Sequence, residues 1–237
     1  MKSKDTLKYY IKNELSGWSK LELAWLLGSC ALILALSVYW GDTTVGMISA
    51  VSGVAYVICT GKGKLMSFAF GIINSLLYAY ISYKAKFYGE VMLNALYYFP
   101  MQFYGFCVWS KNINPETNEV TKRRMTTKGR FVLWGCVAFL TLCYGYALSL
   151  MGGKMPYVDS LSTVVSVVAL VCAIRMYAEQ WMLWTLVNAV TVVMWAAEFS
   201  KGGESIATLV MWVLYLVNGI ILHIKWTREA AGCDKKL

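Results

Sequence analysis

The stretch Val51–Val57, VSGVAYV, returns 114 residues later at Val165–Val171 as VSVVALV. Five of its seven positions are identical: Val51/Val165, Ser52/Ser166, Val54/Val168, Ala55/Ala169 and Val57/Val171. Carried on without a gap, the same offset aligns Asn74 with Asn188, Gly89-Glu90 with Gly203-Glu204, Gly105 with Gly219 and Lys111 with Lys225. Ten identities over 61 positions are modest for two apolar segments. The polar matches carry the case, because an asparagine at one helical depth and Gly-Glu at one turn do not follow from hydrophobic composition. The chain therefore reads as an internal duplication.

The solvent of the two copies is lipid. Of 237 residues, 58% are hydrophobic and 15% charged, against roughly 45–50% and about 25% in soluble domains. Eight apolar runs are long enough to cross a bilayer. They are Leu21–Trp40, Thr43–Thr60, Leu65–Tyr83, Val91–Ser110, Phe131–Met151, Ser160–Met176, Trp181–Phe199 and Ile206–Ile224, called spans 1 to 8. Backbone cannot go unpaired in hydrocarbon, so each is expected to be a helix. With eight spans, 18 of the 22 Lys and Arg fall on one side, leaving only Lys84, Lys86, Lys154 and Lys201 on the other. The positive-inside rule then puts both termini in the cytoplasm.

Parity fixes the repeat plan. Spans 2–4 and 6–8 are the copies, and the single span 5 between them makes the copies parallel, a known transporter plan with its substrate site near the midplane between the repeats. The expected fold class is an all-α integral membrane protein with eight transmembrane helices, 3+1+3 plus an extra N-terminal helix. The divisions are 1–42 (N-terminal cytoplasmic segment and span 1), 43–110 (first repeat), 111–156 (cytoplasmic loop and linking helix), 157–226 (second repeat) and 227–237 (cytoplasmic tail).

Several function classes drop out. The net charge of +9 sits beside the membrane, as in the loop TKRRMTTKGR that ends at Arg130, and does not mark a nucleic-acid binder. The first run is too long for a signal peptide and lacks a small-residue cleavage site. The seven cysteines form no C-x-x-C pair and read as small apolar packers. His223, the one histidine, reads as an interface residue. With no metal cluster, nucleotide loop or nucleophile–base spacing, neither an enzyme nor a cofactor is expected.

Polar and aromatic residues inside spans mark a cavity. Span 3 offers Asn74 and Tyr78. Span 4 offers Asn94, Tyr98 and Gln102 at i, i+4 and i+8, on one helical face, and Pro100 is expected to free the carbonyl near Leu96 and kink the helix. Span 7 offers Trp181, Trp184 and Asn188, again on one face. Span 8 offers Trp212, Tyr215 and Asn218, with Trp212 at the repeat position of Tyr98. Plainer readings stand beside these. Trp181 fits an interfacial belt, Asn94 and Asn218 fit interhelical glue, and Glu90, Glu204 and Asp159 fit helix starts. Arg175 fits a cytoplasmic anchor. Rings and carboxamides together suit a flat aromatic, neutral or singly cationic ligand bearing an amide or sugar hydroxyls.

The run QWMLWTLVN with its W-x-x-W, the segment FGIINSLLYAY and the segment YYFPMQFYGF resemble the PnuC family of bacterial nicotinamide riboside transporters. The resemblance covers spans 2–8. It implies the 3+1+3 fold of full-length SWEET sugar transporters, a homotrimer with one pathway per protomer, and residence in the bacterial inner membrane. It further implies uptake of nicotinamide riboside by facilitated diffusion with alternating access, the substrate being trapped by a cytoplasmic kinase. By the same resemblance Trp181, Trp184 and Asn188 lie beside the ligand, with Asn74 and Gln102 as polar contacts from the first repeat. A same-fold transporter of thiamine or riboflavin is the alternative. A membrane scaffold without a transport path explains neither the duplication nor the two faces of rings and amides.

Overall fold

The computed structural model describes residues 13–152, 156–200 and 206–234. The repeated Gly203-Glu204 turn, Lys154 and Lys201 lie outside them. The elements are α1 (Lys20–Trp40), α2 (Thr44–Lys62), α3 (Met66–Lys84), α4 in three parts (Tyr88–Met92, Leu93–Tyr98 and Phe99–Ser110), β1 (Ile113–Asn114), β2 (Glu119–Val120), α5 (Thr127–Leu150), α6 (Pro156–Ile174), α7 (Gln180–Ser200) and α8 (Ile206–Asp234). All eight apolar runs are thus helical. Seven of the helices, all but α4, are long and apolar enough to cross a membrane.

The caps show why the helices begin and end where they do. Ser19 and Glu22 form a capping box at the head of α1, satisfying two backbone donors that the helix itself leaves open. Thr43 and Thr126 accept from Gly46 N and Gly129 N at the heads of α2 and α5, which is the usual hydroxyl cap. α1 ends on Gly41 and α2 on Gly63, both in the left-handed region at φ 67° and 82°, where glycine carries no steric cost.

α4 departs from a regular α-helix. Its middle six residues, Leu93–Tyr98, form a π-helix, and Phe99 N–H donates to Asn94 O, five residues back. Pro100 follows at the head of the last part. Proline has no N–H and its ring crowds the preceding turn, so the chain widens by one residue before it instead of simply kinking. The i, i+4, i+8 face expected for Asn94, Tyr98 and Gln102 assumes an α-helical repeat and does not run unbroken through this segment.

The chain forms two compact units. Unit 1 holds residues up to Thr121 together with Glu198–Leu214; unit 2 holds Lys122–Ala197 and Tyr215 onward. In unit 1, α1 packs on α2 and α2 on α3. The buried residues of α1 are Ser29, Ile33 and Ser37, a stripe at i, i+4 and i+8 narrow enough to leave most of its apolar surface outward. The start of α8 joins this unit through Asp42, whose Oδ2 accepts from Ala207 N at 2.9 Å. In unit 2, α5 packs on α6. Tyr157 lies over Gly145, where an added Cβ would stand 2.4 Å from the ring, and Ser160 Oγ donates to Thr141 O at 2.7 Å. Val137, Val165, Ala169, Cys172, Leu183 and Val187 close the unit's core.

The segment after α4 is not a bare basic loop. β1 and β2 make an antiparallel hairpin with Ile113 opposite Val120, turned at Asn118 with φ 53°. Val120 N then donates to Gly63 O at 2.9 Å in unit 1, and Arg123 N to Met176 O at 2.8 Å in unit 2. The turn that follows α2 in unit 1 and the turn that follows α6 in unit 2 thereby each gain a stretch of extended chain beside them.

Candidate functional site

In unit 1 the predicted residues of α3, the last part of α4 and α8 do come together. Gly71, Asn74 and Tyr78 follow at i, i+3 and i+7 on α3, one helical face. Asn74 Nδ2 donates to Ser49 O at 2.9 Å and approaches Met211 S at 3.7 Å. Tyr78 meets Trp212 edge to face with centroids 5.6 Å apart, the geometry the ring quadrupoles favour. Opposite Gly71 lies Gln102, whose Oε1 is 2.4 Å from where a Cβ would stand. Gly71 is therefore the gap in α3 that admits the carboxamide.

Gln102 is buried, and it shares a hydrogen bond with the Tyr56 phenol. Its Oε1 is buried without a hydrogen-bond partner. A buried acceptor left empty costs roughly 1–3 kcal/mol, so an incoming donor gains that much by filling it. Asn94 is differently employed. Its Nδ2 turns back on its own helix, to Glu90 O at 2.9 Å and Glu90 Oε2 at 3.5 Å. Tyr98 packs against Tyr97 at 5.7 Å.

In unit 2 the two tryptophans of W-x-x-W part company. Trp181 is buried and stands edge to face on Trp226, centroids 5.7 Å apart, with no partner for its Nε1. Trp184 is half-buried and packs beside the Val165–Ala169–Leu183 core. Asn188 is buried. On α8, Tyr215 and Asn218 are buried, and Gly219 brings α8 against Thr185, 2.7 Å from Oγ1 to the place of a Cβ.

The Trp181–Trp226 pair has a counterpart that sequence reading missed. In unit 1, Phe68 stands edge to face on the buried Trp109 at 5.1 Å. Phe68 lies five residues past the left-handed Gly63, and Trp181 five past the left-handed Met176. At this turn the corresponding positions of the two units are therefore 113 residues apart, although Asn74 and Asn188 are 114 apart. Cys59 and Cys172, whose carbonyls receive Lys64 N and Tyr177 N, match at the same spacing and were the available signal. No group of three or more metal-ligating side chains occurs among the described residues.

Comparison with known proteins agrees on one family. The family model described as "Nicotinamide mononucleotide transporter" matches residues 43–228. The nicotinamide riboside transporter PnuC of Neisseria mucosa is 37% identical over 94% of this chain and 87% of its own length. That of Haemophilus influenzae is 32% identical over 94% of this chain and 97% of its own. A solved structure described as "Crystal structure of the Vitamin B3 transporter PnuC" superposes with a TM-score of 0.85 at 37% identity, covering 94% of this chain and 97% of that one.

Proposed function

The chain belongs to the nicotinamide mononucleotide transporter family, and on that premise we propose that it carries nicotinamide riboside across the bacterial inner membrane. It is a multi-pass membrane transporter and not an enzyme. The observation that carries the choice of substrate is the empty buried acceptor of Gln102, beside a face of α3 and α8 that offers rings and a second carboxamide. Nicotinamide riboside has an amide N–H₂ and ribose hydroxyls to donate, and a flat pyridinium to lie against Tyr78 or Trp212. The family description names the mononucleotide, yet no Lys or Arg occurs in the middle of any span. A phosphate dianion there would lie desolvated and unpaired, at prohibitive cost. The riboside fits; the nucleotide does not.

Within this reading Gln102, Asn74, Tyr78 and Trp212 are the substrate contacts proposed in unit 1, and Trp184 and Asn188 those proposed in unit 2. Trp181, Asn94, Tyr98, Tyr215 and Asn218 shape the walls behind them. The helical run Tyr88–Ser110 supplies the eighth crossing of a 3+1+3 arrangement with both termini cytoplasmic. Assembly as a homotrimer belongs to the same proposal. Transport is facilitated diffusion by alternating access, made one-way by phosphorylation of the riboside inside. Collapsing a proton or sodium gradient then leaves initial uptake into liposomes unchanged; a clear loss of rate refutes the uncoupled mechanism.

The decisive experiment is isothermal titration of the purified protein with nicotinamide riboside, thiamine and nicotinamide mononucleotide. The riboside is expected to bind and the mononucleotide not. Gln102→Ala and Asn188→Ala should each weaken riboside binding about tenfold or more, the worth of one hydrogen bond to a buried partner. Preference for thiamine keeps the cavity and overturns the substrate.

A further inference from the structure

Unit 2 pairs some of its charges and leaves others exposed. Glu179 is buried, holding Arg130 Nε at 2.8 Å and Met125 N at 3.2 Å. Glu229 pairs with Lys122, which also lies over the Trp226 ring. Arg124, Lys128, Arg175 and Arg228 remain exposed, and none of the four has an ion-pair partner among the described residues.

The backbone gathers these four. Arg123 bridges Met176 and Ala178 through two hydrogen bonds, so Arg124 on one strand and Arg175 on the other flank the same bridge. Arg228 precedes Glu229, the partner of Lys122. Lys128 lies four residues beyond Arg124, in the first turn of α5.

Each helical cation also sits one turn beyond exposed apolar side chains on its own face. Lys128 shares a face with Phe131 and Val132, which are 76% and 65% exposed. Arg175, whose N–H still bonds Val171 O, follows the exposed Val171. Arg228 follows the exposed Ile224 and Ile221. One helical turn is about 5 Å, which carries a side chain from the edge of the hydrocarbon to the depth of the lipid headgroups. Long cationic side chains settle there with stems on apolar surface and charge in the polar layer.

We infer that the face of unit 2 formed by Arg124, Lys128, Arg175 and Arg228 binds the phosphate-bearing headgroups of anionic phospholipids. The inference rests on the chain crossing a bilayer and not on the identity of its substrate. A soluble acidic partner has no use for the three apolar faces that lead up to the cations, whereas a phospholipid matches both the chains and the charge.

The full-length protein is reconstituted in phosphatidylcholine, and the motionally restricted fraction of spin-labelled phosphatidylglycerol is compared with that of spin-labelled phosphatidylcholine. The expected result is a severalfold preference for phosphatidylglycerol that collapses at about 1 M salt, where the screening length falls to about 3 Å. The preference should likewise vanish in the quadruple variant R124Q, K128Q, R175Q, R228Q, while its melting temperature in phosphatidylcholine stays that of the parent. If that variant fails to fold, the pair K128Q and R228Q should halve the preference or more. An equal restricted fraction for both lipids, a preference indifferent to salt, or one retained in the variants overturns the inference. So does full displacement of the labelled lipid by millimolar inorganic phosphate, which would make the face a site for a free anion.

Discussion

The turn joining α2 to α3 in unit 1 and the turn joining α6 to α7 in unit 2 are one design built from different residues. In each, a left-handed residue ends the first helix, Gly63 at φ 82° and Met176 at φ 64°. The next residue bonds back five positions, Lys64 N to Cys59 O and Tyr177 N to Cys172 O. The carbonyl of the left-handed residue then receives a strand, from Val120 N in unit 1 and Arg123 N in unit 2. An edge-to-face aromatic pair closes each, Phe68–Trp109 and Trp181–Trp226. The difference is charge. Unit 1 buries cations: Lys62 holds Glu22 at 2.9 Å and Glu119 at 3.1 Å, and Lys64, fully buried, donates to Asn13 O and Asn118 O, each at 3.0 Å. Unit 2 buries an acid, Glu179. The shared backbone is what the turn needs mechanically; the charge buried beside it differs, a lysine amine held by carbonyls in unit 1 and a carboxylate held by Arg130 in unit 2.

The comparison breaks most severely at Gly63. A Cβ there would stand 3.1 Å from Val120 Cγ1 and 3.2 Å from Val120 N, and a β-branched residue at positive φ is a genuine outlier. Gly63→Val is expected to cost about 4 kcal/mol, combining left-handed strain with overpacking. It should appear as a large drop in melting temperature in detergent, together with lost hydrogen-exchange protection of the Val120 amide. Unchanged protection would mean that the strand does not depend on this turn.

Lys64→Ala comes next. It strips the donor from two carbonyls, with an expected loss of about 2–3 kcal/mol. Glu179→Gln is milder, about 1–2 kcal/mol, since the amide oxygen still accepts one of the two bonds. It also leaves Arg130 without its carboxylate, so the same variant should raise the preference of unit 2 for phosphatidylglycerol in the spin-label measurement. A fall in stability with no change in lipid preference would separate the two roles.

How much of this was legible in the sequence follows from how local each signal is. The apolar helices came from the length of the apolar runs, and Asn74 and Asn188 stood out because polarity inside such runs has few explanations. Pro100 announced a disturbed helix but not its form, because a π-turn depends on which carbonyl the displaced donor finds. The hairpin was signalled by Asn-Pro-Glu-Thr-Asn, residues 114–118. Counting charges by side, however, does not say which of them are buried: the partners of Lys62 and Lys64, Glu22, Glu119 and the carbonyls of Asn13 and Asn118, are 40 to 57 residues away in sequence. The candidate site was legible in its residue types and illegible in its division of labour. Trp181 and Trp184 look alike three residues apart, and only the distant Trp226 distinguishes a ring held in packing from one beside the core.

Met176 gives the smallest and sharpest test of the shared turn. A left-handed non-glycine residue costs roughly 1–2 kcal/mol, so Met176→Gly relieves strain that Gly63 never carried. Met176 is also buried, and a buried methionine side chain contributes about 1.5–3 kcal/mol. The second quantity exceeds the first, which explains why a methionine persists at φ 64° in unit 2 while glycine holds the turn of unit 1, where Val120 leaves no room. The expected outcome is a net loss of about 1 kcal/mol on thermal unfolding. A gain in stability would mean that the Met176 side chain packs less well than its burial implies; a loss as large as that of Gly63→Val would mean that the turn of unit 2 is held by the side chain and not by its backbone.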